Sequence, residues 1–184
     1  MVKEARLEEL DSGLAPVTDG WFVINVRDAA WETNDHLGTM CAFEGESAPF
    51  GDLGINLRVL RPGVRGLYHA ESTQEVFLVL SGRCLLLVEG EERPLTAWDF
   101  VHCPPGTEHA FVATADSPCI ILMAGAPRSS SAGTTFVYPR SELALRHGVG
   151  VETETRSPRE AQSQLGIPAW RDQRPDDWNA FPWA

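Results

Sequence analysis

Four side chains able to hold a metal ion fall within 41 positions of one another: His69, Glu71, Glu75 and His109. On an extended strand, residues two apart share a face, so His69 and Glu71 project together. Glu75 follows Ser72-Thr73-Gln74, a short turn that can fold it back beside His69. His109 comes just after Pro104-Pro105-Gly106, at the head of another extended stretch. Imidazole nitrogen together with carboxylate oxygen suits iron, zinc, manganese or nickel better than calcium or magnesium. Two histidines and a carboxylate make up the ligand set of open-sided non-haem iron sites. Two carboxylates also offset the charge of a divalent ion and lower the cost of burying it. The expectation is one divalent metal ion (Zn, Fe, Mn or Ni) held by His69, Glu71, Glu75 and His109.

Two further side chains are candidates for chemistry beside the metal. His102 lies on the run leading into the Pro-Pro-Gly turn, where a cavity-facing imidazole can act as general base. Arg58 lies on an alternating strand, where a guanidinium can hold a carboxylate or phosphate. A solvated strand face is the competing reading for Arg58, and a satisfied core or surface residue for His102. Tyr68 adjoins His69, so alternation sends it to the opposite face as packing. Arg61 and Arg65 flank a turn and read as surface. His36 and His147 have no partner in view.

These residues need strands to position them, and the chain supplies many. Residues 54–60 alternate apolar and polar side chains, as a half-buried strand does. Short apolar runs follow at 66–71, 75–80, 83–89, 92–95, 98–103, 108–114 and 119–123. Turn residues separate them: Ser81-Gly82, Glu89-Gly90, Pro104-Pro105-Gly106 and Asp116-Ser117-Pro118. This spacing predicts an all-β sandwich or barrel and excludes alternating strands and helices. Upstream, residues 2–10 read as a short helix, and residues 21–26 and 38–43 as strands. Downstream come a Ser-rich connector at 127–133 and one more strand at 136–138. Ser141 and Ser157 are expected N-caps of two short helices, the second with Pro158 at its first position. Trp170, Trp178 and Trp183 are expected to anchor an irregular tail on the protein surface or a second subunit.

Composition bounds the function. The chain has 184 residues, 43% of them hydrophobic, enough for one domain with an appendage. Its formal charge of -11 leaves no basic patch for nucleic acid. No apolar stretch is long enough to span a bilayer, and residues 1–13 lack the apolar core of an export signal. The expected setting is therefore the cytoplasm, with no membrane partner. Cys41, Cys84, Cys103 and Cys119 form no C-x-x-C pair and read as buried free thiols.

At this point the spacing resembles that of a known family. Residues 63–82 are similar to the first cupin motif, G-x5-H-x-H-x3-E-x6-G, with Gly63, His69, Glu75 and Gly82 in register. Residues 98–113 are similar to the second, G-x5-P-x-G-x2-H-x3-N, through Pro104, Gly106 and His109. Glu71 stands at the usual second histidine, Trp98 at the first glycine of motif two, and Ala113 at its final asparagine. The resemblance implies a single-domain cupin: a double-stranded β-helix, or jelly-roll, barrel over residues 38–125. Residues 1–37 would then be an N-terminal segment and 126–184 a C-terminal appendage with short helices. It also implies a homodimer and a small-molecule ligand over the metal within the barrel. The function expected is oxygenase- or isomerase-like chemistry on a small organic molecule. The alternative is a non-catalytic cupin that binds or senses a small ligand, or a metal-stabilised scaffold.

Overall fold

The computed structural model of the chain describes residues 1–114, 117–126 and 134–175. The connector 127–133, Asp116, Trp178 and Trp183 lie outside the described residues. Thirteen strands and two short helices are assigned among those that are described. The first two strands, β1 (Leu7–Leu10) and β2 (Gly13–Pro16), form a hairpin. β3 (Glu32–Asn34), β4 (Gly38–Cys41) and β5 (Gly54–Leu60) follow, then β6 (Ala70–Glu71) and β7 (Glu75–Ser81). β8 (Arg83–Val88), β9 (Glu91–Thr96), β10 (Phe100–Cys103), β11 (His109–Ala113) and β12 (Cys119–Gly125) complete the central region, and β13 (Phe136–Val137) pairs back onto β6.

Six strands form one sheet in the order β10-β7-β12-β5-β4-β3, and three form a second in the order β11-β8-β9. Inward side chains of both sheets, among them Leu60, Phe77, Val79, Leu86, Phe111 and Ile121, make the central core. Burial of such a face stabilises a sheet by roughly 25 cal/mol per Å² of apolar surface. All four cysteines are buried and free, as the sequence suggests.

Two upstream expectations are corrected. Residues 2–10 are no helix; Leu7–Leu10 pair with Gly13–Pro16 as a hairpin. Leu7 and Leu10 are too thin a stripe to hold a helix on the core. The hairpin is fixed at Gly13, whose φ is +130° and where an added Cβ would sit 2.1 Å from the Ala29 carbonyl oxygen. Residues 21–26 are no strand either, apart from one bridge between Trp21 and Glu4. Their apolar residues serve packing instead. Ile24 and Val26 lie on the cluster formed by Ala29, Trp31, Leu57, Val59 and Ile120, against the outer face of the large sheet. The Val26 carbonyl accepts from the Trp31 indole N–H at 3.0 Å.

Downstream, the caps read from sequence hold. Ser141 accepts from the Ala144 N–H to start α1 (Glu142–Arg146). Ser157 accepts from the Glu160 N–H to start α2 (Pro158–Gln164), with Pro158 in the first turn. Leu143 and Ala144 of α1 pack on Tyr68 and Leu87, which keeps Tyr68 fully buried behind the histidine it neighbours. His147, without an evident partner in sequence, lies 2.8 Å from a Glu92 carboxylate oxygen. Residues 168–174 run along the free edge of β3. Thr33 and Arg171 exchange backbone hydrogen bonds, Asn34 donates to the Pro168 carbonyl, and Arg171 pairs with Asp35. The Trp170 ring lies 5.3 Å from the Arg58 guanidinium carbon. No helix among the described residues is long and apolar enough to cross a membrane.

Candidate metal centre

The two histidines face each other because their backbones are paired. His69 N–H donates to the His109 carbonyl at 3.1 Å, and His109 N–H donates to the His69 carbonyl at 2.8 Å. Residues opposed in this way carry their side chains on the same face, and the ring centroids lie 4.8 Å apart. The Pro-Pro-Gly turn is tied to the same place, since Gly106 N–H donates to the Glu71 carbonyl at 2.7 Å. Gly106 has φ +85°, a left-handed conformation that glycine adopts without strain. Glu75 enters at the start of β7, on the inward row shared with Phe77 and Val79.

Backbone contacts also choose the imidazole tautomers. His69 Nδ1 lies 2.7 Å from the Leu67 carbonyl oxygen, and His109 Nδ1 lies 3.1 Å from that of Thr107. A carbonyl can only accept, so Nδ1 carries the proton in each ring. That leaves both Nε2 lone pairs facing the carboxylates. His109 Nε2 is 3.5 Å from a Glu75 oxygen, and His69 Nε2 is 3.6 Å from a Glu71 oxygen.

One ligand atom each from His69, Glu75 and His109 lies within 4.8 Å of the others. Glu71 touches His69 but falls outside this cluster, and its other oxygen accepts from the Thr73 hydroxyl at 3.4 Å. The donor set fits a divalent ion, because two neutral imidazole nitrogens and a carboxylate converge from a backbone that already fixes their orientation.

Charges in the ion-free cluster are poorly compensated. Burial, aided by the neighbouring Glu71 charge, pushes Glu75 up to about 7. Burial and the proximity of His69 push His109 down to about 4. For His69, burial opposes the charged ring. The Glu71 and Leu67 contacts and the charges of Glu75 and Glu71 outweigh it and raise the pKa.

The cluster opens onto a cavity of about 500 Å³ inside the barrel. Phe77, Phe111, Met123 and Leu60 supply apolar walls. Arg58 lines the same cavity from β5, and so does Asn56, a residue sequence reading passed over. Its signal was present. Asn56 and Arg58 alternate with Leu57 and Val59, and alternation alone does not say which pair faces in. In the structure Leu57 and Val59 pack outward under the N-terminal segment, so the polar pair faces in. Of the two readings of His102, the structure favours the surface one. It alternates with the buried Cys103, is exposed, and is not among the residues lining the cavity.

Position 98 shows why the usual residue there is glycine. Trp98 has φ +77°, and its N–H donates to the Val79 carbonyl at 2.7 Å. The indole is 74% exposed and recovers little packing for that strained backbone.

Comparison with known proteins agrees with this architecture. The family model described as "Cupin domain" matches residues 56–125. The barrel over those residues is of the cupin type. A polyketide cyclase from Streptomyces resistomycificus superposes with a TM-score of 0.52 at 18% identity, covering 58% of this chain and 79% of its own. A structure titled sugar phosphate isomerase, from Silicibacter pomeroyi, superposes with a TM-score of 0.51 at 20% identity, covering 62% and 90%. At these identities both show the fold alone. Among curated proteins no match is found.

Proposed function

We propose that the chain is a metal-dependent enzyme acting on a small organic molecule bound over the ion within the barrel. The observation that carries this reading is the convergence of His69, Glu75 and His109 on one point that faces a 500 Å³ cavity. A scaffold site would be closed by side chains; this one is open on the cavity side, as catalytic sites are. When bound, a divalent ion there supplies Lewis acidity or an open position for oxygen, which suits isomerase- or oxygenase-like reactions.

The chain's own residues do the rest. The Leu67 and Thr107 carbonyls engage Nδ1 of both rings, which leaves each Nε2 to hold an ion. Glu75 would offset part of its charge. Glu71 occupies the cavity wall beside the cluster, placed to accept a hydrogen bond from a bound molecule. Phe77, Phe111 and Met123 exclude water from the apolar part of a substrate. The cupin resemblance extends the proposal to a homodimer, and light scattering in solution checks the subunit count.

The test is elemental analysis of protein purified without added metal. One equivalent of Zn, Fe, Mn or Ni per chain is expected, and a His109→Ala variant that still folds loses it. Retention of the metal by that variant overturns the ligand assignment. Oxygen uptake with substrate then separates an oxygenase from an isomerase, which works anaerobically.

A further inference from the structure

The outer face of the large sheet is apolar along its whole width, and only part of it is covered. Sheet pairing sets Phe100 opposite Leu78, Leu78 opposite Leu122, and Leu122 opposite Leu57. Residues paired in this way share a face. At the β5 end of that row the N-terminal segment packs over Leu57, with Leu80 and Leu122 at the margin of the cluster. At the other end lies β10, with no strand beyond it among the described residues. Val101 of β10 packs on the central core, so Phe100 and His102 face outward. Phe100 is 64% exposed, and Trp98, just ahead of the strand, is 74% exposed.

The other sheet edges are protected. The edge of β3 pairs with the C-terminal segment through Thr33 and Arg171. β9, the edge of the small sheet, carries Glu91, Glu92, Arg93 and Pro94, charges and a proline of the kind that blunt an edge. β10 has neither device. It carries two large aromatics instead, one of them on a left-handed backbone at φ +77° that a glycine would adopt without strain. The isolated barrel gains nothing from that choice, because both rings meet water.

Charge and area point to what covers them. A chain of net charge -11 repels its own copy wherever carboxylates face outward. Asp99 is the one acid between residues 98 and 103, and it is held back on the turn by the Thr96 N–H at 2.7 Å and the Thr96 hydroxyl at 3.2 Å. The patch is therefore a place where two such chains can meet, and it offers a basic partner nothing. Aromatic side chains bury about 150–250 Å² each, so the exposed parts of Trp98 and Phe100 supply roughly 200–350 Å² per copy. A stable interface takes about 800 Å² per partner, with aromatic anchors at its centre and a polar rim. The half-buried Val76 and Leu78 extend the anchor inward along the same face.

We propose that the outer face of β10 is a homodimer interface, in which Phe100 and Trp98 pack against the same face of a second copy about a two-fold axis. Such an interface is self-complementary, so each aromatic counts twice. The proposal rests on the homodimer reading and not on the metal centre, which lies on the opposite, inward face of the sheet.

Sedimentation velocity over a range of protein concentrations tests it. The wild type is expected to be a dimer. Phe100→Asp and Trp98→Gly should each raise the dimer dissociation constant by about 30-fold or more, the scale of an anchor residue. Trp98→Gly also relieves the backbone at position 98, so that variant folds and keeps its metal content while it dissociates. Val23→Asp, placed on the N-terminal segment where Val23 is 83% exposed, should leave the dimer intact. A dimer that survives both β10 substitutions, or one that dissociates only with Val23→Asp, overturns this interface and leaves the homodimer reading standing. A wild type that stays monomeric at every concentration overturns both.

Discussion

The two ends of the cavity are built on opposite principles. At the metal end, each imidazole has a backbone carbonyl at its Nδ1, and the two histidines are locked as a cross-strand pair. At the β5 end, Asn56 Oδ1 has no hydrogen-bond partner among the described residues, and Arg58 reaches out to residues of the β3–β4 turn and the C-terminal segment. The first end is oriented by the sheet itself. The second depends on segments attached to the sheet from outside. Geometry that must place an ion to within tenths of an ångström belongs on paired strands, while a wall that recognises part of a substrate tolerates looser support.

The largest expected effect separates the two carboxylates of the metal end. Glu75 is in the three-residue cluster, whereas Glu71 lies beside it. Glu75→Gln should weaken metal affinity by more than about 100-fold, since it removes a charged ligand. Glu71→Gln should weaken it by about tenfold, the range for residues that orient ligands. Equal losses in competition titrations would restore Glu71 to the ligand set that the sequence suggests.

That question shows where sequence reading reached its limit. The motif spacing singled out His69, Glu75 and His109, and the fold brings them together because each is fixed by a local device: a cross-strand pair, a turn, a strand start. The barrel was legible for the same reason, since short apolar runs between Gly and Pro turns have few other ways to pack. Glu71 was ambiguous, because sharing a face with His69 places it near the ion without fixing its carboxylate there. Asn56 was missed because alternation reports two faces but not which is inside. Both faces of β5 are covered, and the N-terminal segment that covers the outer one packs through Ile24 and Val26 without pairing as a strand. Its apolar run at residues 21–26 therefore looked like a strand. Position 102 was open for the same one-residue reason: Cys103 faces in, so His102 faces out.

A smaller effect follows from protons at the metal end. In the ion-free protein Glu75 titrates near 7, above its ordinary value, and His69 is also raised. A group with a raised folded pKa contributes stability below its unfolded pKa and loses that contribution as pH rises through the folded one. His109, held near 4, shifts the balance only below about pH 6.5. Between pH 6.5 and 8 the metal-free protein should therefore lose stability as pH rises, by on the order of 1 kcal/mol. Metal binding displaces those same protons, so affinity should rise across that window. Thermal melts with and without zinc should diverge as pH increases. Parallel curves would mean that these groups are not the ligands. The β5 end carries no such signature, and Asn56→Leu should leave the pH dependence unchanged.

The smallest effect lies at the outer support of the β5 end. Trp170→Ala removes the ring beneath Arg58, a contact worth about 0.5–1 kcal/mol at a partly exposed site. The segment keeps the Thr33–Arg171 backbone pair, the Asn34 contact to the Pro168 carbonyl and the Asp35–Arg171 ion pair. Global stability should fall by no more than that amount, while amide exchange at residues 168–174 quickens. Metal content and metal affinity should not move, because the His69–His109 pair is held by its own backbone hydrogen bonds and by the Leu67 and Thr107 carbonyls. A drop in metal affinity on Trp170→Ala would show that the two ends are mechanically coupled, and that Arg58 transmits the position of the C-terminal segment into the barrel.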